Sequence, residues 1–494
     1  MQGQYQSILK ATSIFGGTQF VQILVGLVRS KFVALLIGTT GMGLNTIFTS
    51  SLWIFITIFG MGVNLSVVKD LSKAYDIEDW QRFSKVVKAF RHLLLVSGVI
   101  GTLFVIAFSP LLSQWTFDDD EHISSFCFLS LMVLFTLLSQ GNSAVLVSSR
   151  KIKSIAKCSL VSSVISLLVA VPFFFFWGID GIVPGIVLST IGDYLVTYYF
   201  SRKVIIDNVS LTISEHWLLS KSFIALGSVM VLGTLLANTS NYLVNLFISK
   251  LGGLADLGLY GAGMSITMQT LTIVFASMGS DYFPRLSASM GNLDRMNQTM
   301  NEQSEIVLLL ATPILAVFMV LAPLVVRLLL SEEFLPVTGF VRILCVGMLF
   351  RAASYALGYA SFAKGDKKVY LIVEGFYANI SNIVFAVVFY YLWGLMGLAC
   401  SFVLNYLLYY FVIRFVDTVR FGYKITSDVL YLITISAFSL LLMLASSFLL
   451  PFLLYYCLGG SFALFLCFFY IKKLDEKTNL VKILLCLIKS RKNH

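Results

Sequence analysis

Five charged side chains stand where a charge is costly: Arg29, Lys31 and Arg351, with the carboxylates Asp193 and Glu374, all fall inside long apolar runs. A lone cation at the centre of a membrane helix costs ~2.5–3.5 kcal/mol on insertion scales, so it should face protein or a water-filled cavity. Guanidinium groups match phosphate oxygens through paired N–H donors. More cation than carboxylate selects for an anion, and pyrophosphate on a lipid carrier fits that chemistry. Asp193 and Glu374 could neutralise these cations, which is the default expectation, or bind a proton or sodium ion that drives a transport cycle. At 1.5 Å per residue, Arg29 and Lys31 lie roughly 28 and 31 Å along the first run from Lys10, and Arg351 ~18 Å from the outer end of the tenth. Asp193 lies ~18 Å into the sixth run and Glu374 ~8 Å into the eleventh. Arg327 and Arg342 are within a turn of the outer interface, where snorkelling to headgroups is the better reading.

Other reactive residues offer little. The seven cysteines lie in apolar runs without metal or redox spacing and read as small buried hydrophobes. The four histidines fall at helix ends, in loops or at the terminus. No metal, no cofactor and no catalytic residue is expected, and no paired carboxylates, nucleophile-base arrangement or phosphate loop stands out.

The elements that must position the five charges are membrane helices. The 494 residues are 58% hydrophobic and 12% charged, with a mean hydropathy of +0.88, whereas soluble domains carry about a quarter charged residues. Hydrophobic periods predict about fourteen transmembrane helices, at about 12–37, 43–68, 92–114, 123–147, 158–177, 181–200, 222–248, 258–283, 305–330, 340–363, 369–392, 395–413, 428–450 and 452–471. With both termini in the cytoplasm, the inner connections and tails hold 29 of the 35 Lys and Arg, and the outer connections hold Lys250 alone. The outer loops are acidic, as at Asp118, Asp119, Asp120 and Glu121. The positive-inside rule therefore accounts for the net charge of +10 as a topology signal, and nucleic acid is not an expected partner.

The chain repeats itself. Gly38-x-x-x-x-Gly43-Leu44 returns as Gly253-x-x-x-x-Gly258-Leu259, and Leu71-Ser72 as Leu286-Ser287, each 215 residues on. Trp177-Gly178-x-x-Gly181 returns as Trp393-Gly394-x-x-Gly397, 216 residues on. Six helices per copy put both copies into the membrane in the same direction, related by a pseudo-twofold axis along its normal. The expected organisation is an N-lobe over 1–205, a C-lobe over 206–425, two further helices over 426–471 and a basic cytoplasmic tail over 472–494. Two such lobes with a wet, cationic cleft between them would suit alternating access. Pro172 and Pro184 flank an outer turn, and Pro313 and Pro323 interrupt the ninth span, as hinges or packing kinks. The tail's apolar stretch Leu480 to Ile488 reads as an amphipathic helix on the inner leaflet. Tyr198-Tyr199, Tyr390-Tyr391 and Tyr409-Tyr410 read as interfacial belts, with some contact to sugar rings.

Several motifs resemble the oligosaccharide flippases of the multidrug/oligosaccharidyl-lipid/polysaccharide exporter superfamily, particularly O-antigen translocases. They are Arg29-Ser30-Lys31-Phe32-Val33-Ala34-Leu35-Leu36-Ile37-Gly38-x-x-Gly41-x-Gly43-Leu44, its echo Leu257-Gly258-Leu259-Tyr260, Tyr282-Phe283-Pro284-Arg285-Leu286-Ser287, and Lys364-Gly365-Asp366-Lys367-Lys368. The likeness covers about 1–420. It implies an all-α polytopic fold with two six-helix lobes in a V-shaped arrangement, and an undecaprenyl-pyrophosphate-linked oligosaccharide as substrate. The family's cationic first-helix position carries over to Arg29 and less surely to Lys31, while Arg351 rests on depth alone. The two extra C-terminal helices resemble those of the peptidoglycan-precursor flippase, where such a pair receives the lipid tail.

The expected protein is a bacterial inner-membrane flippase working among membrane lipids, with H+ or Na+ as candidate coupling ion. A drug or cation antiporter of the same superfamily is the first alternative, disfavoured because arginine outnumbers carboxylate at mid-membrane. A major-facilitator transporter lacks support at Lys69-Asp70-Leu71-Ser72-Lys73, where its basic glycine-rich motif would stand. An O-antigen polymerase or ligase would need a sizeable periplasmic domain, and the outer connections here are short.

Overall fold

A computed structural model describes residues 2–204 and 209–478, and every regular element among them is helical. The predicted tail helix at Leu480 to Ile488 lies outside the described residues. The chain forms two compact units, Met1–Gly261 with Leu329–Glu333, and Ala262–Leu328 with Phe334–His494.

The first unit contains α1 (Gln2–Gly60), α2 (Val63–Asp76), α3 (Trp80–Phe117), α4 (Ile123–Leu129), α5 (Leu131–Ser148), α6 (Ile152–Trp177), α7 (Ile182–Ser201) and most of α8 (Ile213–Thr270). Within it α6 packs against α7 and α1, and α5 lies against both α3 and α7. The sequence sets the start of α8 through a capping box. The Thr212 backbone N–H donates to Glu215 at 2.9 Å, and the Glu215 N–H returns a bond to the Thr212 hydroxyl at 3.4 Å. Those Thr212 bonds, with Lys85 at 2.9 Å, hold the exposed Glu215 carboxyl down at about 2.

The second unit holds the rest: α9 (Thr272–Ser277), α10 (Phe283–Ser289), α11 (Leu293–Leu329), α12 (Val337–Lys364), α13 (Lys367–Val369), α14 (Ala378–Phe421), α15 (Ser427–Leu449) and α16 (Phe452–Thr478). Its spine is α12, 83% of whose most apolar stretch is buried, against 11% for the corresponding stretch of α6. The longest packing interface in this unit joins α12 to α14, with α15 against α12 and α16 against α15.

Among the described residues, eleven helical segments are long and apolar enough to cross a membrane, which makes this a multi-pass membrane protein. About 20 helical residues suffice for one crossing. The segments Val21–Gly60 and Val231–Thr270, 40 residues each, and Lys367–Phe421, 55 residues, are too long for one. Each has a corner, at Gly38, at Gly253 and at Trp393-Gly394. Dividing the three long segments there turns eleven into the fourteen crossings read from the sequence. The three corner glycines have φ of 64°, 79° and 56°, a region that penalises any residue with a Cβ.

The repeat is visible in the backbone. Gly38 and Gly253 share one corner geometry (φ 64°, ψ −164°; φ 79°, ψ 177°). Gly178 and Gly394 share another (φ 55°, ψ −125°; φ 56°, ψ −138°). A Cβ on Gly181 would strike the Phe173 carbonyl, and one on Gly397 would strike the Phe389 carbonyl, the same contact 216 residues on. Where α1 and α8 meet, a Cβ on Gly43 would fall on the Leu254 carbonyl and one on Gly258 on the Thr39 carbonyl. Thr39 and Leu254 are themselves 215 apart, so the crossing is reciprocal.

The change of offset also has a structural cause. Arg150 and Gly365, 215 apart, both take positive φ at a helix end, whereas Gly178 and Gly394 are 216 apart. Between them the second copy winds as a π-helix over Tyr370–Tyr377. A π-turn takes up one more residue per hydrogen-bonded loop than an α-turn, so an inserted residue is absorbed without ending the helix. The Asn379 amide donates to the Glu374 and Gly375 carbonyls, at 3.1 and 2.6 Å, within this widened turn.

Candidate functional site

Arg29 opens onto a cavity of about 840 Å³ in the first unit. Four helices supply its polar wall in pairs one turn apart: Asn45 and Thr49 on α1, Ser139 and Ser143 on α5, Ser162 and Ser166 on α6, Ser189 and Asp193 on α7. Residues i and i+4 share a helix face, so each pair presents two polar groups to the same space, hydroxyl or amide in every case but the Asp193 carboxylate. Gln140, Thr136, Ser163, Thr190 and the indole of Trp53 complete the polar and aromatic part of the lining.

Arg29 and Asp193 are thus brought to one cavity, yet no salt bridge joins them. Among the described residues Asp193 has a hydroxyl partner and no cation. The Ser139 hydroxyl donates to Asp193 Oδ2, and Ser139 receives the Thr197 hydroxyl at 3.3 Å. The charge pairing expected for Asp193 is therefore absent among the described residues. Small hydroxyl side chains leave the room, and among the described residues no salt bridge engages the partly buried guanidinium.

The other candidates have different surroundings. Lys31 lies two residues beyond Arg29 but is not part of the cavity lining, and its ammonium donates to the Leu330 carbonyl. Arg351, on α12, contacts the Met268 sulfur, and its guanidinium lies 5.6 Å from the ring centroids of both Phe275 and Tyr406. Such cation–π contacts are worth ~0.5–2 kcal/mol and satisfy the charge within the protein. Glu374 sits in the π-helical turn and accepts from the Tyr409 hydroxyl, while Gly358 on α12 leaves space for both groups. No cation pairs with Glu374 among the described residues, so the pairing expected there is absent as well.

Two further expectations are corrected by the packing. Arg342 does not simply snorkel: its guanidinium lies 4.6 Å from the Tyr455 ring centroid and its Nε donates to the Met319 carbonyl at 3.4 Å. Tyr409-Tyr410 is no interfacial belt, since both residues are buried, whereas Tyr391 and Trp393 are 80% and 60% exposed, as a belt requires. Sequence reasoning missed Asp417, taken for a connection. It is fully buried near the end of α14, and neither carboxyl oxygen has a hydrogen-bond partner among the described residues. It also passed over the serine and threonine pairs, whose signal is small polar residues at i, i+4 within apolar spans. No group of three or more metal-ligating side chains occurs among the described residues.

Solved structures similar to this fold include membrane transporters. The chain is similar to the lipid II flippase MurJ in an inward closed conformation, with a TM-score of 0.72 and 13% identity over 95% of this chain and 99% of that one. It is similar to an inward-facing MATE-family multidrug resistance transporter of the MOP superfamily (TM-score 0.69, 15% identity, 81% and 94% covered). A MOP superfamily transporter from Pyrococcus furiosus follows, with a TM-score of 0.62 and 16% identity over 84% and 96%. At such identities the likeness is one of fold. No curated protein matches the sequence significantly. The sequence profile of the family described as polysaccharide biosynthesis protein matches residues 32–339, more than half of the chain, and the chain belongs to that family.

Proposed function

We propose that this protein translocates an undecaprenyl-pyrophosphate-linked oligosaccharide, an O-antigen repeat unit or a similar glycan, by alternating access. Transport runs from the cytoplasmic to the periplasmic leaflet of a bacterial inner membrane, with both termini cytoplasmic as the loop charges indicate. The observation that carries this reading is Arg29, a cation with no salt bridge among the described residues, in a cavity whose polar wall is mostly hydroxyl and amide groups. Phosphate oxygens suit the guanidinium, and sugar hydroxyls suit the wall. Membership of a polysaccharide biosynthesis family and a fold shared with a lipid II flippase support the same substrate class. Lys31 and Arg351, already engaged by a carbonyl and by aromatic rings, are assigned to holding helices, and Arg29 to the pyrophosphate.

The alternative, a drug or cation antiporter, is favoured by the MATE-like fold and by Asp193 in the cavity, but a cationic drug would meet Arg29 there. The test is translocation of a labelled undecaprenyl-pyrophosphate sugar in proteoliposomes. Loss of a bidentate charge-assisted contact worth about 3 kcal/mol should make Arg29→Ala about a hundredfold slower. Arg29→Lys, which keeps charge but not the planar fork, should fall between. Normal translocation by Arg29→Ala, or transport of a cationic dye in place of the lipid, would refute the reading.

A further inference from the structure

The cavity lining contains two groups that an anion site does not need, a carboxylate and an indole. We propose that Asp193 and Trp53 form a sugar subsite next to Arg29, in which Asp193 accepts hydrogen bonds from vicinal ring hydroxyls and is not the seat of a coupling ion. This rests on the assignment of Arg29 to the pyrophosphate and extends it to the first sugar of the substrate.

The hydrogen bonding points this way. A carboxylate offers about four lone-pair sites and donates nothing when ionised. The one side-chain bond to Asp193 comes from Ser139, on Oδ2, and Ser139 is itself oriented by Thr197 at 3.3 Å. This relay fixes the carboxylate and leaves acceptor capacity facing the cavity, where a sugar presents rows of O–H donors. A cation seat would need several oxygens turned inward with their lone pairs, whereas one lone pair of the Ser139 hydroxyl is taken by the Thr197 donor. Arg29 in the same cavity also opposes a second positive charge.

Trp53 supplies the complementary half. It is 40% exposed and is the only tryptophan among the lining residues. A rigid indole gives the apolar C–H face of a pyranose a large contact at low entropic cost. At about 840 Å³ the cavity is also within the ~300–1,000 Å³ range of small-molecule sites.

The test uses the purified full-length protein, with two probes read by tryptophan fluorescence and calorimetry. They are undecaprenyl pyrophosphate alone and the same lipid bearing one N-acetylglucosamine. Wild type should bind the glycosylated lipid roughly tenfold or more tightly than the bare one, the increment of hydrogen bonds to a charged group. Asp193→Ala should lose that increment while its affinity for the bare lipid stays unchanged. Asp193→Asn, whose carbonyl still accepts, should keep most of the increment and of the translocation rate. An ion-coupling carboxylate would give the opposite pattern: sugar preference intact in both variants, and Asn as inactive as Ala. That pattern overturns the subsite. Wild type that binds both lipids equally overturns it too, yet leaves Arg29 as the phosphate residue. Binding of neither lipid overturns both readings. Thermal melting of each variant identifies misfolding, and Trp53→Phe, which keeps an aromatic face, gives a second folded variant with a reduced increment.

Discussion

The two copies of the repeat enclose different interiors. In the first, Trp53, Thr136, Thr190 and Asp193 line the cavity that holds Arg29. The repeat carries those positions to Met268, Arg351, Tyr406 and Tyr409, at an offset of 215 before the π-helical turn and 216 after it. There the Arg351 guanidinium lies against Met268 and the Tyr406 ring, and Tyr409 bonds Glu374. Each copy thus has a deep arginine and a deep acid. Short hydroxyl side chains leave space in one, and long side chains fill the corresponding places in the other. Duplication copied the corners and crossings of the backbone, and side-chain volume then separated a cation that lines a cavity from a cation packed against rings and a thioether.

The most severe way to break this comparison is to exchange its residues. Thr136→Arg puts the second copy's guanidinium into the open cavity beside Asp193. Translocation should drop below detection, with the melting temperature nearly unchanged; a variant that still transports would mean that the cavity is not on the substrate's path. The reverse exchange, Arg351→Thr, removes contacts to two rings and a thioether and leaves a void. It should cost about 2–4 kcal/mol of stability, read as lower thermal stability, with unchanged affinity for undecaprenyl pyrophosphate. Loss of that affinity in a stable protein would make the second copy a substrate site after all. Asp417→Asn sharpens the same point. An isosteric amide replaces a buried carboxyl whose oxygens have no hydrogen-bond partner among the described residues, so transport and stability should both survive, and a folded but inactive variant would assign a working acid to the second unit.

The parts of this picture that sequence could supply are those governed by local composition. The crossing number follows from the cost of inserting each stretch into a bilayer, so hydropathy carried it. The corners were legible as well, because Gly38 and Gly253 must adopt a positive φ and recur at a fixed offset. The depth of Arg29 and Asp193 could be counted along a helix. Depth, however, does not say what a side chain meets. Arg351 looked as available as Arg29 until Phe275 and Tyr406, from two other helices, were found against it. Asp417 looked solvated because α14 continues four residues beyond it, to Phe421, past the apolar run. Partners brought in from distant sequence decide such cases, and apolar spans give no pattern from which to infer them.

A milder perturbation tests whether the copies remain equivalent where the backbone alone matters. Gly43→Ala and Gly258→Ala each drive a methyl group into a carbonyl of the opposite segment, Leu254 in one case and Thr39 in the other. Overpacking of this kind typically costs about 1–3 kcal/mol. Because the contact is reciprocal, the two losses should agree within experimental error in thermal melting. A large inequality would mean that the crossing is symmetric in sequence but not in strain.

The smallest expected effect concerns a turn where the copies differ in charge. The residue before α13 is Asp366, whose carboxylate caps the Val369 N–H at 3.2 Å and accepts from Arg420 Nε at 3.1 Å; its counterpart before α6, Lys151, caps nothing with its side chain. The backbone bond first, and then the guanidinium, hold the Asp366 carboxyl below its ordinary value. A depressed folded-state value means that ionised Asp366 contributes stability above the unfolded carboxylate range and loses it as pH falls through the folded value. Asp366→Ala should therefore melt slightly lower than wild type at neutral pH, with the gap closing in acid below the unfolded carboxylate range of about 4. Lys151→Ala should show no such pH-dependent gap. A gap at Asp366 that persisted unchanged into strong acid would place the effect in helix propensity and remove electrostatics as the distinction between the two turns.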